Sequence, residues 1–246
     1  MLVKFLALIV RIILKIRYKI SFSGLELIKD QKHALFLPNH PAEIDPIILV
    51  AHFLKFTRIR PIVVERFFET PPGRFVLNLI NAFAIPDMAF DGGFYKRKRT
   101  ENTIKAINDA IKKGDNLIIY PSGQITNGGL EKIGGNSGVH SILQGAHNAE
   151  VFLIKTTGLR GSSFSKAFTG VTPPFFPALL NGIKIAFKNL IFFTPKRNVS
   201  IQIVKAPASF PKNGDPLSIN HWLEDWYNKD GEEEITLVPY YFWKKE

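Results

Sequence analysis

A histidine and an aspartate stand five residues apart in 39-NHPAEIDP-46, between an apolar run and a helix start. Two readings fit that spacing. In the chemical one, Asp45 accepts a hydrogen bond from one imidazole N–H of His40, and the other ring nitrogen takes a proton from a hydroxyl. In the plain one, His40 precedes a proline where a strand runs out, and Asp45-Pro46 caps a helix with proline at its first position. A second constellation is 120-YPSGQITNGG-129. Gly123, Gly128 and Gly129 permit close backbone approach, and consecutive N–H groups there can hold an anion or a developing oxyanion. Ser122 invites a nucleophile reading, but a nucleophile elbow needs glycine two residues earlier, where Tyr120 stands. The segment serves equally well as a simple turn.

The basic run 95-YKRKR-99 precedes a helix expected to begin at Thr100, and it offers Arg97 and Arg99 to a phosphate or a headgroup. A solvated loop explains it too. Nucleic acid is not expected, because no interleaved aromatics or known module accompany the charges. Metal is not expected either. The chain has no cysteine, and His33, His52, His140, His147 and His221 show no ligand spacing with carboxylates.

Apolar, β-rich runs at 34–37, 61–64, 82–85, 117–120, 151–157 and 199–204 alternate with helical patterns at 46–56, 73–81, 100–113, 138–147 and 217–229. That alternation predicts an α/β fold, a mixed, largely parallel sheet flanked by helices. Ligands in such sheets sit outside the carboxyl ends of strands. Both 38–45 and 121–129 stand at such ends. The very apolar stretch 174–195 reads as a buried helix plus strand, with a second membrane-contacting surface as the alternative.

No linker, tail or repeat divides the 246 residues, so one domain is the simpler organisation. The absence of cysteine agrees with a reducing compartment. A net charge of +11 points to an anionic partner, and 21 phenylalanines favour an apolar one. The N-terminus combines both. In 1-MLVKFLALIVRIILKIRYKI-20 the longest apolar run, Phe5 to Val10, is far short of the roughly 20 residues that span a bilayer. On a helix, Lys4, Arg11, Lys15 and Lys19 fall within an arc of roughly 80°, with Leu2, Phe5, Leu6, Ile9, Ile13 and Ile16 largely on other faces. Residues 1–22 therefore read as an amphipathic helix lying in a membrane interface. A helix packed on the domain's own core is the alternative.

Together these pieces resemble the glycerolipid acyltransferase family, which includes lysophosphatidic acid and other lysophospholipid acyltransferases. Asn39, His40 and Asp45 match its first motif, asparagine-histidine, four variable residues, then aspartate. Tyr120, Pro121 and Gly123 match its third, aromatic-Pro-Glu-Gly. The stretches 158-GLRGSSFSKAFTG-170, 190-LIFFTPKRNV-199, 219-INHWLEDWYN-228 and 238-VPYYFW-243 resemble the branch often fused to an acyl-activating ligase. Residues 23–246 are then the acyltransferase domain. Ser122 departs from the usual glutamate, and Gln124 stands where an arginine implicated in holding the acceptor's phosphate is common. Arg97 or Arg99 would have to supply that charge.

The resemblance implies direct acyl transfer from acyl-CoA or acyl-ACP to a lysophospholipid hydroxyl, in phospholipid synthesis or remodelling, without a cofactor. It implies His40 as base and Asp45 as its orienting partner, with Asn39, Ser122, Gly123, Gln124, Arg97 and Arg99 toward substrate. The expected location is the cytoplasmic face of a membrane, peripheral or monotopic. Three other readings remain: an acyltransferase on a lipid amine or non-phosphate hydroxyl, a serine hydrolase using Ser122, and a non-catalytic basic membrane-binding protein with a decayed site.

Overall fold

The alternating runs assemble into one seven-stranded sheet in the order β1-β7-β6-β2-β5-β3-β4. The computed structural model describes residues 2–86 and 94–243. The strands are β1 (Tyr18–Ser23), β2 (Ala34–Pro38), β3 (Arg60–Val64), β4 (Phe83–Ile85), β5 (Leu117–Ile118), β6 (Glu150–Thr157) and β7 (Arg197–Lys205). Neighbours pair parallel everywhere except β6 with β7. The mixed, largely parallel α/β sheet expected from the sequence is thus the one that forms.

Strand β2 lies at the centre, and every one of its residues is buried, as a strand covered on both faces requires. Its side chains alternate between two cores. Ala34 and Phe36 join the first, with Phe152, Ile154, Val199 and Ile201 from neighbouring strands. That core is covered by α1 (Leu2–Arg17), α2 (Asp45–Phe53) and the inner side of α6 (Phe175–Lys188). Leu35 and Leu37 join the second, with Leu117, Val151 and Leu153, under α4 (Phe94–Lys112), α5 (Gly138–Gly145) and α7 (Pro216–Asn228). The remaining helix, α3 (Pro71–Leu79), starts at Thr70, whose hydroxyl accepts the Gly73 N–H.

Four boundaries differ from the sequence reading. The N-terminal helix stops at Arg17, and Tyr18–Ser23 pair with β7, so residues 1–22 are not all helix and Lys19 belongs to a strand. The helix also buries Ala7 and Leu14 in the first core, so it is joined to the domain that follows. Helix α4 begins at Phe94, which puts 95–99 in its first turns rather than in a loop. Finally, 174–195 is neither a buried helix nor a helix plus strand. Ile185 is the single buried residue of α6, and Leu190 to Phe193 form an exposed turn.

Candidate active site

Strand β2 ends at Pro38, and β5 beside it leads into Ile119 and Tyr120. The loops that follow meet at the carboxyl edge of the sheet, where parallel strands place ligands. His40 precedes Pro41 and continues the extended chain, while Asp45 opens α2 with Pro46 behind it. The short connection turns back on itself, Asp45 N–H donating to the Ala42 carbonyl at 3.1 Å.

That turn brings His40 Nδ1 to 2.9 Å from Asp45 Oδ2. Asp45 is fully buried and its side chain does not cap α2. The cap expectation fails because the carboxylate is occupied elsewhere. Oδ2 faces His40 and the Ala42 N–H at 3.4 Å, and Oδ1 accepts the Tyr120 hydroxyl at 2.5 Å. A carboxylate only accepts, so Nδ1 must be the donor and Nε2 carries the lone pair. The Tyr120 ring lies 4.2 Å from the imidazole, centroid to centroid, and walls it on one side.

Burial alone would lower the His40 pKa, but Asp45, through charge and hydrogen bond, and the nearby Glu43 and Glu131 carry it above the ordinary imidazole value. Burial, reinforced by Asp45, pushes the Tyr120 hydroxyl well above its usual range, so it stays a donor.

Glu131 is the second participant that spacing did not reveal. It is buried, and its Oε2 accepts the His40 backbone N–H at 3.3 Å and the Thr126 hydroxyl. The Thr126 N–H in turn donates to the His40 carbonyl at 2.9 Å. The second loop therefore grips the backbone of His40 from both sides. Burial raises the Glu131 carboxyl, against the opposing pull of the Thr126 hydroxyl and the His40 N–H. Its Oε1 is buried with no hydrogen-bond partner among the described residues.

The other sequence candidates divide. Asn39 is spent on structure: its amide donates to the Thr156 carbonyl at 3.0 Å and accepts the Thr156 N–H at 2.7 Å, fastening the end of β2 to β6. Ser122 is buried and donates to the Gln124 carbonyl at 2.9 Å. Gly123 adopts φ +63°, and its N–H closes a turn onto the Tyr120 carbonyl at 3.0 Å. Its own N–H is thus engaged within the turn. The Gln124 side chain is exposed at the rim. Arg97 is exposed on α4, and Arg99 pairs with Glu65 at 2.7 Å. The cations that act on Glu43, beside His40, are instead Arg66 and Lys166.

Below the first loop lies a polar cavity of about 150 Å³ lined by Asn39, Thr126, Glu131, Lys155 and Arg160 among others. An acidic strap closes it: Asp230 pairs with Lys155 at 2.9 Å and Glu232 with Arg160 at 3.2 Å.

A buried carboxylate holding a histidine at the carboxyl edge of the sheet, with no hydrogen-bond partner for the second ring nitrogen among the described residues, is the apparatus of general-base catalysis on a hydroxyl. No curated protein matches the chain. Among solved structures the fold is similar to that of the 1-acyl-sn-glycerophosphate (LPA) acyltransferase PlsC from Thermotoga maritima. The match has 14% identity and a TM-score of 0.55, and it covers 87% of this chain and 70% of that one. The sequence model of the Acyltransferase family matches residues 19–157, more than half of the chain and both loops of the site. The chain therefore belongs to the acyltransferase family and is an acyltransferase.

Proposed function

We propose that this protein moves a fatty acyl group from a thioester, on coenzyme A or acyl carrier protein, to the hydroxyl of a lysophospholipid at a membrane surface. The observation that carries the reading is the His40–Asp45 pair at 2.9 Å, with the Tyr120 hydroxyl on the other carboxylate oxygen. The acceptor oxygen attacks the thioester carbonyl carbon while His40 Nε2 takes its proton. Asp45 stabilises the imidazolium that forms. The tetrahedral intermediate then collapses, the C–S bond breaks, and the leaving thiolate takes the proton from His40. The products are an ester and a free thiol, with no acyl-enzyme on Ser122.

An acceptor that stays in the bilayer suits a chain whose N-terminal helix is amphipathic and whose first 25 residues lack any acid. No helix among the described residues is long and apolar enough to cross a membrane. From the basic, amphipathic N-terminal helix we infer peripheral or monotopic attachment, at the cytoplasmic face of a membrane.

A second reading, a lipid acceptor with an amine or a non-phosphate hydroxyl, is favoured by one arrangement. Gln124 brings no charge to the rim, and Arg99 is tied to Glu65. Purified protein with labelled acyl-CoA and acyl-ACP donors and a panel of lysolipids and lipid amines decides between the two. His40→Ala should lower turnover by about 10²–10⁴-fold. Full turnover by that variant would remove the base assignment, and no turnover by wild type with any acceptor would leave a binding protein.

A further inference from the structure

Two helices that cover the first core, α1 and α6, carry exposed apolar side chains along their whole length, whereas on the helices over the second core these are confined to Phe94, Tyr95 and Leu217 at the helix starts. Three sectors run along α1. Ala7 and Leu14 face the core, Lys4 and Lys15 are exposed beside them, and Leu2, Phe5, Leu8, Ile9, Ile12 and Ile13 form an exposed apolar remainder. On α6, Phe176, Leu180, Ile183 and Phe187 repeat at helical spacing as one exposed stripe, with Lys184 and Lys188 exposed alongside.

The turn after α6 extends this surface. Leu190 (φ +50°) and Ile191 (φ +62°) both hold the left-handed conformation that bulky and β-branched residues avoid. They carry Phe192 outward, 89% exposed. The C-terminal aromatics lie against that turn. Asn189 donates to the Tyr240 carbonyl at 2.8 Å and accepts the Phe242 N–H at 2.9 Å, and the Phe193 and Phe242 rings meet at 5.3 Å. Trp243 stacks on Tyr241 at 5.0 Å and is exposed. Arg17, at the end of α1, donates to the carbonyls of Pro195, Val238 and Pro239, so helix, turn and tail adjoin.

Charge identifies the occupant. No Asp or Glu occurs before Glu26 or between Glu150 and Asp215, stretches that contain all of α1, α6 and the turn. Every formal side-chain charge on these pieces is therefore positive. A second copy of the chain would set cations against cations, whereas an anionic bilayer accepts both the cations and the apolar stripes. Each cation held near an anionic leaflet strengthens attachment about fivefold, and aromatic residues favour the headgroup level.

We propose that α1, α6, the 190–193 turn and the aromatic segment 240–243 form one face that lies in the interface of an anionic bilayer. This deepens the acyl-transfer reading, because the face reaches the dyad. Phe175, the first residue of α6, packs its ring 5.8 Å from that of Phe164, whose carbonyl accepts the Glu43 N–H at 3.0 Å in the catalytic loop.

The test is co-sedimentation of the full chain with phosphatidylcholine vesicles, with and without phosphatidylglycerol. Phe187→Ser combined with Phe192→Ser changes two well-exposed side chains and should leave the melting temperature unchanged. It should weaken binding to anionic vesicles about tenfold. With Trp222→Phe and Trp226→Phe, brominated acyl chains should quench the remaining Trp243. Wild-type affinity in the phenylalanine double variant, or an unquenched Trp243 on bound protein, would overturn the proposal. So would a lipid-free dimer in light scattering that the double variant converts to monomer, since a second copy would then cover the face. Binding is read without turnover, so its failure and a failure of the acyl-transfer assignment are distinguishable.

Discussion

The two loops that build the site use their residues in opposite ways. In the 39–45 loop, the residues whose types suggested chemistry are the ones that meet: His40 and Asp45, joined at 2.9 Å. In the 120–131 loop, the residues that drew attention in the middle, Ser122 and Gly123, build the turn. The ends of that loop reach the dyad instead. Tyr120 holds Asp45, and Glu131 holds the His40 backbone. A short loop closed by proline at both ends has little choice in what it brings together. A longer, glycine-bearing loop is shaped by what it packs against.

That division can be broken by substitution, beginning in the first loop. Asp45→Asn should reduce kcat by about 10²–10⁴-fold, because the amide carries no charge to oppose the imidazolium and its NH2 can donate to Nδ1, which selects the wrong tautomer. A kcat within a factor of about three of wild type, measured under single-turnover conditions, would return Asp45 to a merely structural place.

The second loop should respond less. Tyr120→Phe removes one hydrogen bond to a buried carboxylate, an interaction of about 1.5 kcal/mol, and should cost about tenfold in kcat. The freed carboxylate then attracts a proton on His40 more strongly, so the acid limb of the rate profile should move to higher pH. An unmoved limb would mean that Tyr120 acts by packing alone.

Glu131→Gln should shift that limb the other way. In wild type the base works when neutral, and its pKa lies above the ordinary imidazole value of about 6.5. Activity should thus fall as pH drops through a point above that value. Glu131 is one of the groups that raise His40, so its neutral replacement should carry the limb to lower pH while Gln still accepts from Thr126 and His40 N–H. A lower rate with an unshifted limb would assign Glu131 to backbone positioning without an electrostatic part.

Ser122→Ala should have the smallest effect. It loses a hydrogen bond to the Gln124 carbonyl, about 1 kcal/mol of stability readable by thermal unfolding. Turnover should stay within about threefold. Abolished turnover together with a trapped acyl-enzyme in wild type would restore the hydrolase reading.

Much of this molecule was legible in residue order, for local reasons. Six of the seven strands appeared as apolar runs, the central β2 and β5 because both faces are buried and β7 because its buried positions alternate with polar ones. The five-residue spacing left the dyad one of two readings, and the resemblance of Asn39, His40 and Asp45 to the acyltransferase motif favoured it. Strand β1 was not, since Tyr18–Ser23 alternates along an edge and continues an apolar helix without a break. The beginning of α4 was misjudged because 95–99 has charge but no apolar period.

Residue order by itself thus determined the α/β class, the strand-end loops and the excess of bases over acids at the N-terminus, while the His40–Asp45 pair stayed one of two readings until the resemblance favoured it. These depend on spacing and composition over a few residues. Tertiary structure decided that Tyr120 and Glu131 serve the dyad and that Asn39 and Ser122 serve the backbone. It decided also that α6, hydrophobic enough for a core helix, lies with its stripe outward. Those assignments depend on which strands neighbour one another and which faces remain uncovered, and long-range packing settles both.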